Sequence, residues 1–265
     1  MKTNRIPFRA LAALLLASGA RPASAQTPVN PTQPWGSWLI GTVQLPGNEE
    51  HRWGGFAEAQ ARTNAVFRQY FYNELKTGVS FDIDRNFTVL LGGGRYATTD
   101  YRDRAAGPLN VERRLWQQVV LTQYSSRLKL EHRYRVEQRW FRFRNDSTDF
   151  RQRLRYRINA FYPLNRKTIG PGTLFLSAYD EIFLNPKGPV FERNRLYLGG
   201  GYQVNTHLTL QVGLVHQANY NLPTFRQGQF IPQITSAKRN VVIAVAYRLA
   251  RKSATASEQL PSQQD

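Results

Sequence analysis

Two neighbouring stretches carry arginine at every second position. Residues 127–141 read RLKLEHRYRVEQRWF and put Arg127, Lys129, Glu131, Arg133, Arg135, Glu137 and Arg139 on one parity. Residues 149–163 repeat the pattern with Arg151, Arg153, Arg155 and Arg157. A guanidinium is always charged, and its planar fork matches carboxylates and phosphates. Two chemistries follow. The ladder could attract small anions, or it could pair with Glu131, Glu137, Glu74, Glu58, Asp180 and Glu181. Ion pairing is the reading we favour. Basic residues outnumber acidic ones in these stretches, so a net positive surface is also expected.

Other reactive residues offer less. Asp180 and Glu181 are adjacent, and neighbouring residues of a strand face opposite sides, so a catalytic carboxylate pair is not expected. Which of the two faces inward stays open at this point. His51, His132, His207 and His216 form no H-x-H or H-x-x-x-H pair, which leaves a metal site unsupported. There is no G-x-S-x-G nucleophile elbow. The chain has no Cys, which removes disulfides, zinc-thiolate sites, iron–sulfur clusters and thiol catalysis. Gly92-Gly93-Gly94 and Gly199-Gly200-Gly201 lack the Lys-Ser/Thr of a phosphate loop. Inside strand patterns they mark bends or close approach. No catalytic residue, metal or cofactor is expected. The lumen candidates are Arg133, Arg135, Glu137, Arg139, Arg151, Arg153, Arg155, Arg157 and Glu181.

The elements that must carry these residues are strands. Opposite the charged parity of residues 127–141 stand Leu128, Leu130, His132, Tyr134, Val136, Gln138 and Trp140, a mostly apolar face. Phe150, Leu154, Tyr156, Ile158 and Ala160 oppose the second ladder. Such period-two alternation is the signature of a strand with two unlike faces. About eleven segments read this way: 35–45, 53–62, 70–83, 87–101, 113–122, 127–141, 149–163, 173–184, 193–204, 208–220 and 239–249. Many are 10 to 15 residues long, against roughly 5–6 for a typical globular strand. A tilted membrane-crossing strand needs roughly 9–11 residues.

Length and alternation together point to an all-β, antiparallel, up-and-down transmembrane β-barrel over residues 35–249. A chain crossing lipid must satisfy its backbone internally, as helices or as a closed barrel, and no apolar run here is long enough for a helix. Trp35, Trp38, Trp53, Trp116, Trp140, Tyr101 and Tyr220 are expected at the membrane interfaces. Tight connections (84–86, 124–126, 205–206) alternate with longer ones (102–112, 185–192, 221–238), as in barrels with periplasmic turns and extracellular loops. Both ends of the barrel are then expected on the periplasmic side, which needs an even strand number. Eleven is odd, so either one strand is missed or 35–45 does not cross. The expected count is 10–12. A secreted β-sandwich is the alternative.

Lys2, Arg5 and Arg9, the apolar run 11–17 and Ala23-Ser24-Ala25 read as a secretory signal peptide over residues 1–25. Residues 26–34 form a Pro/Thr/Gln linker, and 250–265 a polar tail. The full chain has 36 basic and 18 acidic groups. Cleavage after Ala25 leaves 32 basic groups against 18 acidic and a formal charge of +14. Export argues against nucleic acid as a partner despite this charge. A mean hydropathy of -0.51 argues against a helical membrane protein but suits a barrel, in which half of each strand faces a polar lumen.

The runs LEHRYRVEQRW, RQRLRYRIN, YDEIFLN, RNRLYLGGGYQV and LQVGLVHQ occur in an order that resembles the family known as domain of unknown function 2490. The resemblance extends from about Trp35 to Tyr247. It implies an outer-membrane β-barrel of Gram-negative bacteria, many of them Bacteroidetes, and implies no activity. One departure is the tail after Tyr247, where such barrels often end on an aromatic residue. The expected function is structural, or that of a narrow anion-preferring pore. The partners are outer-membrane lipid, the barrel-assembly machinery and small anions. The alternatives are a barrel-borne lipid hydrolase and a secreted binding protein for acidic glycans, and an enzyme is not expected.

Overall fold

The computed structural model describes residues 33–187, 190–221, 224–226, 229–231 and 234–250. The residues read as a signal peptide, most of those read as a linker and nearly all of the polar tail lie outside them. The described chain is all strand and turn. Its strands are β1 (Trp35–Leu45), β2 (Trp53–Ala65), β3 (Arg68–Asp82), β4 (Phe87–Thr99), β5 (Pro108–Ser125), β6 (Leu128–Phe143) and β7 (Thr148–Pro163). They continue with β8 (Thr173–Leu184), β9 (Phe191–Gln203), β10 (Leu208–Asn221), β11 (Thr224–Arg226), β12 (Gln229–Ile231) and β13 (Ile234–Arg248). Eleven close into a barrel, and β11 and β12 form a small hairpin between β10 and β13.

Each neighbouring pair in the barrel is antiparallel except the closing one. β1 runs parallel to β13, with Trp35 opposite Arg239 and Gln44 opposite Arg248. The expectation of an even strand number fails here. The segment 35–45 is a full wall strand, and the count is odd. The two ends of the wall therefore stand on opposite rims. We call the rim where β1 begins the entry rim and the one where β13 ends the exit rim. The tight connections 83–86, 126–127 and 204–207 lie on the exit rim. The size alternation is incomplete: 164–172 is a long exit-rim connection, and Val66-Phe67 a tight one on the entry rim.

Alternation sets the two faces of the wall. Even-numbered residues of β1–β5 and β13 point inward in the order Trp38–Ile40–Thr42 or Glu112–Arg114–Trp116, and the parity switches for β6–β10. In β10 the inward set is odd: Thr209, Gln211 and Val215. The outer face is apolar and uncovered, with Leu75, Leu91, Leu198, Val212 and Leu214 all about half exposed or more. An exposed apolar belt encircling a charged interior inverts the usual arrangement of a water-soluble protein. Trp53 and Trp140 lie on the outside as expected, and Tyr220 packs on Phe191. Trp38 and Trp116 do not. Both point into the barrel and are buried, because they share the parity of the inward polar residues of their strands.

The glycine triads seat these inward rings. A Cβ on Gly92 would collide with the indole of Trp116, one on Gly201 with the ring of Phe175, and one on Gly199 with Tyr197. Only a residue without a side chain lets a large ring lie flat against the wall there.

Candidate functional site

Three patches of inward-facing side chains stand out among the described residues. The largest lies on β5–β9. Across β6 and β7, Arg133 stands opposite Arg157 and Arg135 opposite Arg155, while Glu137 stands opposite Arg153. Like charges directly opposite one another destabilise a sheet, so the carboxylates must come from further along the wall. Glu137 accepts hydrogen bonds from Arg153 Nη2 at 2.7 Å and Arg155 Nη1 at 2.8 Å, with Arg114 at 3.4 Å. Glu181 accepts from Arg155 Nη2 at 2.7 Å and from Arg133. Glu112 accepts from Nε of both Arg114 and Arg139 at 2.7 Å. Glu192 accepts from Arg153 Nη1 at 3.2 Å and lies 3.9 Å from Arg139. The pairs thus close a ring: Glu112, Arg139, Glu192, Arg153, Glu137, Arg114. Arg155 ties it to Glu181.

Aromatic faces hold the remaining cation surface. Arg153, Arg155, Arg193 and Arg195 all lie 4.5–5.5 Å from the centre of the buried Phe183 ring. Arg114 sits 3.8 Å over Tyr96, and Arg135 is 5.0 Å from Trp116 while bonding Gln118. Cation–π contacts of this kind strengthen when water is excluded.

The second patch is on β2 and β3, where Lys76 is clasped by Glu58 and Glu74. Thr42 donates to Glu58 at 3.1 Å, and Tyr72 to Glu74 at 2.7 Å. The third patch is apolar: Trp38, Ile40, Val215, Val242 and Ala244 pack with Tyr179 and Tyr197, whose rings stack at 4.9 Å.

Of the sequence-predicted residues, Arg133, Arg135, Glu137, Arg139, Arg153, Arg155, Arg157 and Glu181 come together as buried, inward-facing groups. Arg151 does not. It lies at the entry rim with a side chain 53% exposed, bonded to Asp149 at 2.6 Å. Its place next to the strand start, not its parity, keeps it out of the cluster. Asp180 faces outward and accepts from Asn194 at 2.6 Å, and Glu131 serves Lys129. Neither belongs to the arginine network. Glu112 and Glu192 do belong and were read as connections. The alternation of Glu112, Arg114, Trp116 and Gln118 against Arg113, Leu115 and Gln117 was the signal for the first. Among the described residues no group of three or more His, Asp or Glu could hold a metal ion. His132 stacks on Tyr156 outside the barrel, and His207 bonds the Arg248 carbonyl.

The arginine network of β5–β9 has nine inward-facing guanidiniums (Arg114, Arg133, Arg135, Arg139, Arg153, Arg155, Arg157, Arg193, Arg195) against four carboxylates (Glu112, Glu137, Glu181, Glu192), and the buried Lys129–Glu131 pair beside it adds no net charge. The local excess is five positive charges. The arrangement can therefore do two things: occlude the lumen with an ion-pair network and present that lumen to anions.

No curated protein sequence shows significant similarity to the chain. A solved structure of the NanC porin is similar over 81% of this chain and 98% of its own, at 12% sequence identity and a TM-score of 0.41. A family profile described as protein of unknown function DUF2490 matches residues 35–227, from β1 through the last strand of the arginine network and beyond, and the chain belongs to that family.

Proposed function

We propose that the protein is an outer-membrane β-barrel of Gram-negative bacteria whose lumen is filled, structural at rest and selective for small anions when it conducts. The reading assigns it no catalysis, and has it inserted by the barrel-assembly machinery into outer-membrane lipid. The observation that carries it is the inverted polarity of a closed wall. Half-exposed Leu and Val ring the outside, while Glu137, Arg157, Glu181 and Trp116 are at most 1% exposed inside. In water such a surface would drive aggregation. In lipid it is the expected face of the wall.

Filling follows from size. Lumen width grows with strand number, and eight strands leave just enough room for side chains. Eleven strands carrying arginines and rings close the remaining space. Selectivity follows from the excess of guanidiniums, which lowers the energy of an anion inside and raises that of a cation.

Reconstitution in planar bilayers tests both parts. The purified chain is expected to give no steady conductance at low voltage and, where openings occur, a reversal potential that favours anions. A large ohmic conductance would overturn the filled lumen, and cation preference would overturn the charge argument. Lipid placement is tested by Leu198→Arg at the middle of β9, expected to destabilise the bilayer-inserted barrel by about 2–4 kcal/mol. Unchanged stability of that variant in liposomes would count against a lipid-facing wall.

A further inference from the structure

The outer face carries one feature that the lumen reading leaves unused. A single cross-strand row runs Leu75, Arg95, Arg113, Trp140, Phe150 over β3 to β7. Arg95 and Arg113 stand directly opposite each other and are exposed on the outside of the wall. Leu75 and Trp140 flank them, and Trp140 packs against Phe150 at 5.4 Å. Further along β5, Leu109 and Leu115 are also exposed.

Two features set this pair apart on the outer face. First, several outward polar groups have partners across the wall. Asp180 takes a hydrogen bond from Asn194, Gln117 and Gln138 bond each other, and Arg239 lies on the Trp35 ring. Among the described residues, neither Arg95 nor Arg113 has a carboxylate within 4.0 Å. Second, like charges directly opposite on a sheet repel, and arginine on a lipid face is unfavourable unless it reaches the interface. An anion shared between the two guanidiniums removes both penalties. Two planar forks side by side suit a phosphate, whose oxygens accept paired N–H bonds. The flanking Leu, Trp and Phe suit acyl chains and the interface above them.

We propose that Arg95 and Arg113 form a binding site for the phosphate of a membrane lipid, with its acyl chains lying along Leu75, Leu115 and Trp140. The proposal rests on the membrane reading above and adds to it a specific, titratable lipid contact on β4 and β5. The geometry commits to a lipid rather than free phosphate, because the pair is embedded in the apolar belt.

The test uses the full chain purified in detergent and native mass spectrometry. The probes are a bisphosphorylated glucosamine lipid, its dephosphorylated form, and inorganic phosphate. The wild-type barrel is expected to retain the phosphorylated lipid and not the dephosphorylated one. Arg95→Gln/Arg113→Gln is expected to weaken retention by about tenfold or more, which corresponds to the loss of at least one charge-assisted contact. Arg95→Lys/Arg113→Lys keeps the charge without the fork and is expected to fall between. Equal retention by wild type and the Gln variant overturns the site, as does equal retention of both lipid forms. Full displacement of the lipid by millimolar inorganic phosphate overturns the lipid as its occupant. Each protein is first run on a gel in cold detergent with and without boiling. Absence of a mobility shift in the wild type marks failure of the barrel reading itself, whereas a shift with no lipid discrimination marks failure of the site alone.

Discussion

One barrel fills its lumen in two ways. Along β5–β9 the filling is a guanidinium–carboxylate network built on Glu137 and Glu181. Along β10, β13 and β1 it is Val215, Val242, Ala244, Trp38 and Ile40. The two sectors meet where Arg195 lies on the Trp38 ring at 4.8 Å, and Arg62 of β2 lies on the same ring at 4.1 Å. The apolar sector shows that this wall can be packed without charge. Buried ion pairs lose solvation that their attraction only partly restores, and apolar replacements of similar volume are often neutral or stabilising. Stability alone therefore does not account for the charged sector. Its surplus of cations does something that packing cannot, which is to set the sign of the interior.

The comparison breaks most easily at the carboxylates. Glu137→Ala removes a carboxylate that four guanidiniums share within 4.0 Å, and removal of one partner from a buried pair is expected to destabilise by about 3–5 kcal/mol. The midpoint of urea unfolding in detergent measures this. In the apolar sector, Gly213→Ala would place a methyl 2.5 Å from Tyr197 Cε2. Overpacking of that kind is expected to destabilise by about 1–3 kcal/mol, read by the same titration. Val215→Ala, at a site that is 1% exposed, is expected to lose about 1–2 kcal/mol for its two methyl groups. A loss for Glu137→Ala no greater than that would erase the distinction between sectors. Gly41→Ala sharpens the scale at its lower end. Nothing lies within 4 Å of a Cβ there, so its midpoint is expected to stay within about 0.5 kcal/mol of wild type.

Alternation made most of this architecture legible. In β6 and β7 one parity is charged and the other apolar, so both the strand and its inward face follow from residue types alone. The Asp180/Glu181 choice did not follow. In β8 both parities are apolar, Phe175 and Tyr179 on one and Leu174 and Leu176 on the other, and polarity cannot separate two greasy faces. Trp116 misled for a related reason: an aromatic residue suits both the interface and a lumen floored by glycine, and only its register with Glu112 and Gln118 decides. The closing seam was beyond reach. The pairing of Trp35 with Arg239 joins residues at opposite ends of the chain, and no local pattern distinguishes a parallel partner from an antiparallel one.

That seam has a consequence for compartments. A chain that crosses a wall an even number of times returns to the side it left, whereas eleven crossings make a one-way thread. For a wall set in a bilayer, sequence attached before Trp35 and sequence attached after Arg248 belong to different solutions. An epitope at one end is then reached by antibody on intact cells and an epitope at the other only after the envelope is opened, so the two labels together would read the handedness of insertion directly.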